Sequence, residues 1–388
     1  MKKLRILFLQ TFPLYGSGSG TYVRYLAKEL NKTHKVGMLV PDTRPVNGVK
    51  IYPLKMPFNV SYTGHPEWRN AKLYEQLTNR EILQIHKSFM TQTVDVVEDF
   101  RPDIIHVQHA FPFTWSARFI KSIYQTKYVV TIHGSELPTA SKDRRYAPLT
   151  TDALRKSSRI IPNSYYTRDW MYKVFGDEYR HQIRVIPGGV DIDKFKRLGT
   201  AALDKKYGLK GKKVVVFAGK LTKNKGVKYL ILAAKKIKGE ILILGDGPNR
   251  KNLEKIVKDE RIKNVRFLGH FGDDMSLLIK MYSRADVFVA PSVWDEPLGL
   301  VILEAMACET PVVVTRKGGI PLAVKDGKNG YFVKPRNSED IVDKVSMLLE
   351  DDVMRKKMGK AARQIAEKKF SWKVISEKFS RIYAKEVR

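Results

Sequence analysis

The chain has 388 residues, of which 71 are Lys or Arg and 40 are Asp or Glu, giving a formal net charge of +31. This length predicts two domains, since single domains commonly hold about 100 to 150 residues. With 43% hydrophobic and 10% aromatic residues the chain can bury sizeable cores, which excludes a disordered protein despite the charge. The single cysteine, Cys308, excludes an intramolecular disulfide.

The apolar segments of the chain are short. The run near the N-terminus is too short for a signal peptide and leads directly into a glycine-rich loop. No stretch approaches the roughly 18 apolar residues of a membrane-spanning helix. We therefore expect a cytoplasmic protein, either soluble or attached peripherally to the inner face of the cell membrane.

The positive charge suggests a polyanionic partner, either a nucleic acid or an anionic membrane surface. Both halves of the chain are basic, and neither ends in a charged tail. The sequence has no aromatic RNA-binding run, no Cys/His zinc spacing and no arginine-rich segment. Charge alone therefore does not identify the partner.

The first half of the chain alternates short apolar runs with segments of helical periodicity. It begins with RILFLQ (Arg5–Gln10), and helical spacing follows at residues 22–30 and again at about 72–100. The further predicted strands are Val36–Val40, Asp103–His109, Tyr128–His133 and Arg159–Ser164. Strands that alternate with helices indicate a parallel, doubly wound sheet. We predict an N-terminal Rossmann-like domain over residues 1–187.

Between residues 188 and 212 the periodicity fades and glycines accumulate, which predicts a linker. The alternation restarts at Val214–Gly219, so we predict a second Rossmann-like domain over residues 213–370. A C-terminal helix over residues 371–388 would pack back on the N-terminal domain. The two α/β domains would face each other across a cleft, where ligands meet the carboxyl ends of the strands.

The loop FAGKLTKNKG (Phe217–Gly226) follows a strand of the buried type and carries Lys220, Lys223 and Lys225. Cations at the carboxyl end of a strand, next to the free amides of a helix N-terminus, suit a diphosphate. The alternative is that these are ordinary surface lysines in a lysine-rich protein.

Two glutamates lie eight residues apart in PSVWDEPLGLVILEAMACETPVVVT, at Glu296 and Glu304. If a helix begins near Pro297, they are separated by roughly 12 Å along its axis, too far to act as an acid/base pair on one atom. They could instead bind hydroxyls at separate ends of one long ligand, with the amides of Leu298–Leu300 on its phosphate. Alternatively, Glu296 favours a helix start and Glu304 is solvated. The apolar run around Glu304 favours a functional role, because an unpartnered acid there is costly.

Two glycine-rich loops resemble dinucleotide-binding fingerprints weakly. In GSGSGT (Gly16–Thr21) the third glycine comes one residue early, although Asp42 nearly supplies the expected acid, so a flexible loop at the cleft edge fits better. LGDGPNRKNLE, with Gly245 and Gly247, has Arg250 in place of the third glycine.

One histidine, His133 in TIHGSE, is placed at the end of a predicted strand. A lone histidine is more often structural, but the carboxyl end of a strand at the predicted cleft favours a role in the site. His106 and His109 are too isolated for a metal site, and no Asp/Glu/His grouping has metal-ligand spacing, so we expect no metal.

These motifs resemble the retaining glycosyltransferases of family four, the glycosyl transferases group 1, which have the two-domain GT-B fold. FAGKLTKNKG is similar to that family's Gly-Arg-Leu…Lys-Gly element, LGDGP and VRFLGHF to two nucleotide-side loops, and PSVWDEPLGLVILEAMACETPVVVTRKGG to its long signature. GSGSGT, TIHGSE, PNS and VIPGGVDIDKF extend a looser resemblance over the first half.

The resemblance implies that residues 1–187 form the acceptor-side domain and residues 213–370 the nucleotide-sugar-binding domain, and it gives each matched residue a role. Lys220 and Lys225 would hold the donor diphosphate, Glu296 would contact the donor sugar and Glu304 the ribose. His133 would meet the sugar at the acceptor side, which makes His133, Lys220, Lys225 and Glu296 the candidate catalytic residues. The remaining donor-binding candidates are Gly16, Gly18, Gly20, Gly245, Gly247, Phe271, Leu298, Gly299 and Leu300.

The sequence departs from the family pattern at four positions. Lys220 stands where arginine is usual, which keeps the charge but loses bidentate geometry. Leu298 replaces a common phenylalanine, Glu309 the usual glycine and Leu322 a frequent glutamate. None of these changes removes a core ligand, and the first two could shift the choice of donor.

We expect a metal-independent, retaining transfer of a hexosyl unit from a nucleotide diphosphate sugar, UDP- or GDP-linked, to a hydroxyl acceptor, with no cofactor. The acceptor would be a lipid or a glycan at the cytoplasmic membrane face, where anionic lipid would account for the excess charge. The alternatives are a nucleotide-sugar epimerase of the same fold and a basic nucleic-acid-binding protein, which would leave Glu296 and Glu304 without a role.

Overall fold

The computed structural model describes residues 2–65, 67–68, 70–269 and 274–387. It divides into two compact units. The first unit runs to Gly188 and also includes the residues from Trp372 onwards, while the second comprises Gly189–Ser371.

The first unit contains a main sheet, one short strand pair and six helices before residue 188, within the described residues. Its elements in chain order are β1 (Arg5–Leu9), α1 (Gly18–Leu30), β2 (Lys35–Val40), β3 (Lys50–Pro53), β4 (Val60–Ser61), β5 (Lys72–Leu73), α2 (Asn79–Phe100), β6 (Ile104–Gln108), α3 (Phe113–Tyr124), β7 (Lys127–Ile132), α4 (Leu137–Lys142), α5 (Ala147–Lys156), β8 (Arg159–Pro162) and α6 (Tyr165–Phe175).

The main sheet of the first unit is parallel, with the strand order β3-β2-β1-β6-β7-β8. Ile6 of β1 is paired with Val36 on one side and with Ile104 on the other. Leu7 and Leu9 enter one hydrophobic cluster while Ile6 and Phe8 enter another, so both faces of the sheet are covered. The chain changes direction across the sheet between β1 and β6, which makes that gap the topological switch point.

The second unit repeats the alternation. Its elements are α7 (Ala201–Tyr207), β9 (Val214–Ala218), α8 (Val227–Ala233), β10 (Glu240–Leu244), α9 (Arg250–Asp259), β11 (Val265–Gly269), α10 (Met275–Arg284), β12 (Val287–Ala290), α11 (Leu300–Ala307), β13 (Val312–Thr315), β14 (Gly330–Val333), α12 (Ser338–Glu350) and α13 (Asp352–Ile365).

The sheet of the second unit is also parallel, with the order β11-β10-β9-β12-β13-β14. Its central strand β9 is fully buried because Val214 and Val216 face one hydrophobic cluster and Val215 and Phe217 face the other. The switch point of this sheet lies between β9 and β12, so the loops that follow these two strands are the expected ligand-binding loops.

The fading periodicity predicts a linker over residues 188–212, and residues 189–212 of it are packed in the second unit. They include α7, and Phe195, Leu203 and Leu209 are buried in its core. Arg363 fixes the segment by donating to the carbonyl of Phe195 at 2.6 Å. These three apolar residues are too widely spaced to give a periodic pattern, although each is buried in the core.

The last helix, α14 (Trp372–Val387), packs against α1 of the first unit. Trp372, Ile375, Phe379 and Tyr383 are buried there in one hydrophobic cluster with residues of β1 and α1. The Tyr383 hydroxyl also lies 2.7 Å from Nδ1 of His106 on β6. The core of the first unit is therefore completed by residues from the end of the chain.

Candidate active site

The loop after β9 brings lysines to the switch point of the second sheet. Lys220 and Lys223 are exposed, whereas Lys225 is half-buried. Gly226 follows with a φ of +68°, and a Cβ there would overlap the carbonyl oxygen of Pro291. The backbone of this loop therefore lies directly against the residues that follow β12.

Lys225 forms an ion pair with Glu296, which belongs to the loop after β12. The same carboxylate oxygen accepts a hydrogen bond of 3.0 Å from the Ser292 hydroxyl. The backbone carbonyl of Glu296 accepts from the amide of Gly319 at 2.7 Å. The fold thus brings together the two residues that the sequence singled out as diphosphate and sugar ligands.

The helix after Glu296 begins later than the sequence suggests. Pro297 lies before the helix, α11 starts at Leu300, and Gly299 occupies the N-cap position with a φ of +76°. Glu296 is therefore a loop residue, and the spacing along a helix axis predicted for the two glutamates is wrong. Leu298 is buried in the core of this unit, which anchors the turn and leaves the first amides of α11 at the switch point.

Glu304 lies on α11 and is half-buried. Its Oε2 accepts a hydrogen bond of 2.9 Å from the hydroxyl of Tyr282. Burial raises the pKa of Glu304 to about 7, while Tyr282 and the charge of Lys194 oppose this shift. Glu304 is thus partnered rather than freely solvated, and it can donate or accept a hydrogen bond near neutral pH.

The glycines after β10 allow two loops to touch. Gly245 has a φ of +133° and Gly247 of +159°, and a Cβ at either would overlap the carbonyl oxygens of Gly219 and Leu221. These two glycines therefore allow the loop after β10 to pack against the loop after β9, which is a structural role independent of any ligand. Phe271, one of the donor-binding candidates, lies outside the described residues.

The glycine segment of the first unit differs from the flexible loop that its sequence predicts. Helix α1 already begins at Gly18, and the Ser17 hydroxyl caps it by accepting from the amide of Gly20 at 3.1 Å. A Cβ at Gly20 would overlap the carbonyl of Pro13. Of the three predicted glycines only Gly16, with a φ of +78°, lies in the loop.

Asp42, the residue that nearly supplied a ribose-binding acid, is used within the first unit. Its carboxylate accepts from the amide of Leu14 at 3.0 Å and forms an ion pair of 2.7 Å with Arg44. This acid positions the segment between β1 and α1, which gives it a structural function.

His133 is buried at the carboxyl end of β7. Its Nε2 lies 2.9 Å from Oε1 of Gln108, and its ring contacts those of Tyr22 and His109. Burial lowers the pKa of His133 to about 3, so the imidazole is uncharged at neutral pH. It can therefore act through hydrogen bonds but not as a cation.

Glu136, the last residue of TIHGSE, organises the same region. Its carboxylate accepts backbone hydrogen bonds from Ala110 at 3.3 Å, His133 at 3.1 Å and Gly134 at 2.9 Å. It thereby joins the loops after β6 and β7. The only sequence signal for this role was an acid three residues after a strand-end histidine.

The described residues lack two kinds of feature. No group of three or more His, Cys, Asp or Glu side chains could hold a metal ion there. Within the same residues no helix is both long and apolar enough to cross a membrane.

The fold is shared with solved enzymes over nearly the whole chain. Sucrose-phosphate synthase from Thermosynechococcus elongatus superposes with a TM-score of 0.79 at 20% identity, covering 99% of both chains. HepE of Anabaena, solved in complex with UDP-glucose, gives 0.76 at 20% identity, covering 98% of this chain and 100% of its own. The two parallel six-stranded sheets, together with this structural similarity, define a protein of the GT-B glycosyltransferase fold.

Sequence comparison gives the family. Residues 200–365 match the model of the glycosyl transferases group 1, and residues 16–194 match that of glycosyltransferase family 4. The D-inositol 3-phosphate glycosyltransferase of Corynebacterium jeikeium is 34% identical, over 98% of this chain and 96% of its own. The chain therefore belongs to the group 1 glycosyl transferases of family four, and it is a glycosyltransferase.

Proposed function

We propose that this protein transfers a hexosyl unit from a nucleotide diphosphate sugar to a hydroxyl acceptor with retention of the anomeric configuration. The observation that carries the proposal is the Lys225–Glu296 ion pair at the switch point of the second sheet. The lysine suits the negative diphosphate of a nucleotide sugar, and the carboxylate can accept hydrogen bonds from the hydroxyl groups of its sugar. The UDP-glucose complex of HepE, which shares this fold, supports a UDP-sugar ahead of a GDP-sugar.

In the reaction, the bond between the sugar C1 and the diphosphate oxygen breaks while C1 bonds to the acceptor oxygen on the same face. Negative charge develops on the leaving diphosphate, where Lys225, Lys220 and the amides at the start of α11 stabilise it. The leaving phosphate takes the acceptor's proton. This chemistry requires no metal, because lysines and backbone amides supply the positive potential.

Glu296 and Glu304 would divide the recognition of the donor. Glu296, held by Lys225 and Ser292, accepts from sugar hydroxyls, and Glu304 binds the ribose. Tyr282 fixes the Glu304 carboxyl in one orientation, so a ribose hydroxyl meets a preorganised partner. His133 would contact the sugar as a neutral hydrogen-bonding group.

The acceptor and the cellular location belong to the same proposal. A formal charge of +31 on a folded chain would attract an anionic membrane surface, and a lipid or glycan acceptor at the cytoplasmic face would be met there. The protein would then be cytoplasmic and peripherally bound.

Binding and turnover of a donor panel test the proposal, with UDP-glucose and GDP-mannose as the first probes. Lys225→Ala should lower kcat/KM for the preferred donor by on the order of 100-fold, because one charge on the leaving diphosphate is lost. Lys228→Ala, an exposed lysine on the neighbouring helix α8, serves as the matched control and should stay within about twofold. Wild-type turnover by Lys225→Ala across the donor panel would contradict the assignment.

A further inference from the structure

A cavity of about 180 Å³ lies at the amino edge of the first sheet, where β7 and β8 begin. Its walls come from the first residue of β8, from the segment after α6 and from the last turns of α14. The lining residues are Arg159, Arg184, Arg381, Ile382, Lys385 and Glu386, all in the first unit. With four cations and one acid, the lining of this basic pocket has a formal charge of +3.

Backbone pairing places two of the arginines side by side. The amide of Arg184 donates to the carbonyl of Ile160 at 3.0 Å, so the segment after α6 runs along β8. Side chains alternate along such extended backbone, and Ile161 and Ile186 enter the hydrophobic cluster that α14 covers. Arg159 and Arg184, each two residues from one of these isoleucines, therefore lie on the same face, next to α14.

Helix α14 adds two cations to this place. Arg381 and Lys385 are four residues apart, which puts them on one face of the helix, and both are exposed. Neither side chain has a hydrogen-bond or ion-pair partner among the described residues. The helix dipole favours a cation in the last turn, which accounts for Lys385 but not for Arg381, a turn earlier.

The single acid of the lining neutralises only one of the four cations. Oε1 of Glu386 lies 2.9 Å from Nη2 of Arg159, and both side chains are largely buried. The backbone carbonyl of Glu386 also accepts from Nζ of Lys127 at 2.5 Å, which brings a fifth cation near the pocket. The Arg184 guanidinium donates to the carbonyl of the residue before it at 2.7 Å. Three cations of the lining thus have no carboxylate partner in the described part of the chain.

The chemistry of the lining selects the ligand. Like charges around one cavity repel one another, and an anion between them replaces this repulsion by attraction. An arginine fork can bond two oxygens of one oxyanion, and a phosphate group offers several acceptor oxygens to such donors. Pockets for drug-sized ligands hold roughly 300–1,000 Å³, so a cavity of about 180 Å³ suits one small group and not a whole nucleotide.

We propose that the basic pocket binds a phosphate group, either free phosphate or the phosphate of an anionic lipid headgroup. Arg184, Arg381 and Lys385 supply the uncommitted charges, while Arg159, held by Glu386, supplies the fourth. The six residues of β7 separate this edge of the sheet from His133 by roughly 20 Å. The pocket is therefore distinct from the candidate active site, and the inference does not depend on the proposed glycosyl transfer.

NMR signals of the arginine Nε–H groups of the full chain test the site directly. Inorganic phosphate is titrated against chloride at constant ionic strength, and Arg184→Lys and Arg381→Lys assign the two signals. Both signals should shift saturably with phosphate. The signal of Arg363, whose guanidinium already donates to three carbonyls and to Glu367, should not move. Lysines give no signal in this spectrum, so phosphate bound at the proposed donor site does not contribute. No saturable shift of Arg184 and Arg381, or equal shifts with chloride, would overturn the inference.

A double variant gives the second test and distinguishes the two sources of phosphate. Arg381→Gln with Lys385→Gln should weaken phosphate binding, followed at the Arg184 signal, by at least about tenfold. Lys356→Gln with Lys360→Gln removes the same charge from another exposed pair four residues apart, on α13, and should stay within about twofold. Equal phosphate affinity of the two double variants would refute the site.

Cosedimentation with phosphatidylcholine vesicles that contain phosphatidic acid identifies the source. If the pocket takes a lipid headgroup, the variant at Arg381 and Lys385 should bind these vesicles more weakly than the variant at Lys356 and Lys360. If it takes free phosphate, the two variants should bind the vesicles equally, while only the first loses the response to inorganic phosphate.

Discussion

At the residue scale, Glu136 shows how a buried acid can be retained. Its carboxylate accepts three backbone hydrogen bonds and so joins the loops after β6 and β7. These bonds favour the ionised form, but burial outweighs them and raises the pKa of Glu136 to about 7. The acid is therefore close to half-protonated at neutral pH, next to the strand ends that carry His109 and His133.

The pKa of Glu136 predicts a pH dependence of stability. An acid whose pKa is higher in the folded than in the unfolded state stabilises the fold at low pH, and this stabilisation is lost as pH rises from about 4.5 to above 7. Relative to Glu136→Gln, the wild-type protein should lose on the order of 3 kcal/mol over that range. Urea unfolding at a series of pH values measures the difference.

Neighbouring histidines do not obscure this comparison. His109 and His133 have lowered pKa values and contribute the opposite slope, but they are common to both proteins and cancel. Glu350→Gln, at an exposed position, is the control and should follow the wild-type profile. Parallel profiles for Glu136→Gln and wild type would show that Glu136 titrates normally.

At the element scale, the loops of the second unit are held together by glycines that lie against carbonyl oxygens. Gly226 lies against Pro291, Gly245 against Gly219, and Gly318 against Glu296. Each contact joins loops that follow different strands. The position of the Glu296 backbone is therefore set by a loop about twenty residues further along the chain.

Gly318→Ala should displace Glu296 and lower kcat/KM for the donor by at least about tenfold, since a Cβ would overlap the Glu296 carbonyl. Gly211→Ala is a matched control: both glycines have positive φ, +55° and +76°, but no atom lies within 4 Å of a Cβ at Gly211. Backbone strain should lower the stability of the control variant by about 1 kcal/mol, while its turnover should stay normal. Steady-state kinetics with thermal melting measures both effects, and equal turnover by the two variants would refute the explanation.

At the scale of the whole molecule, the charge of +31 is far larger than the proposed site requires. The proposed function uses only Lys220 and Lys225 at the donor diphosphate, and Lys225 is paired with Glu296. Apart from the four cations of the basic pocket, the remaining lysines and arginines are distributed over both units, so they act as a field and not as a single site.

This field predicts salt-sensitive membrane binding. The protein should cosediment with vesicles that contain anionic phosphatidylglycerol at low ionic strength, and it should be released at high salt because the Debye length shortens. Neutral phosphatidylcholine vesicles are the control. Absence of cosedimentation at low salt, or equal binding to both vesicle types, would contradict membrane binding through the charge. The charge would then serve solubility.

The local sequence pattern predicted the α/β class and the parallel sheets, and the motifs carried the resemblance to GT-B enzymes. It did so because strands buried on both faces, such as β9, read as continuous apolar runs between helical segments. Lys225, Glu296 and Glu304 could also be selected from sequence, since charged residues next to apolar strands and helices need partners. Helix α11 starts later than the sequence predicts because Pro297, a residue that fits a first helical turn, here precedes the helix.

Other features depend on contacts between distant segments and were decided only by the tertiary structure. Lys225 meets Glu296 across 71 residues, and Tyr383 meets His106 across 277. Gln10 and His109 share one crevice because β1 and β6 are neighbours in the sheet. Strand neighbours are set by how crossover connections wind the whole sheet, and periodicity within one segment carries no information about that order. The sequence by itself therefore determined the kind of fold and singled out Lys225, Glu296 and Glu304, while only the tertiary structure decided which distant residues meet.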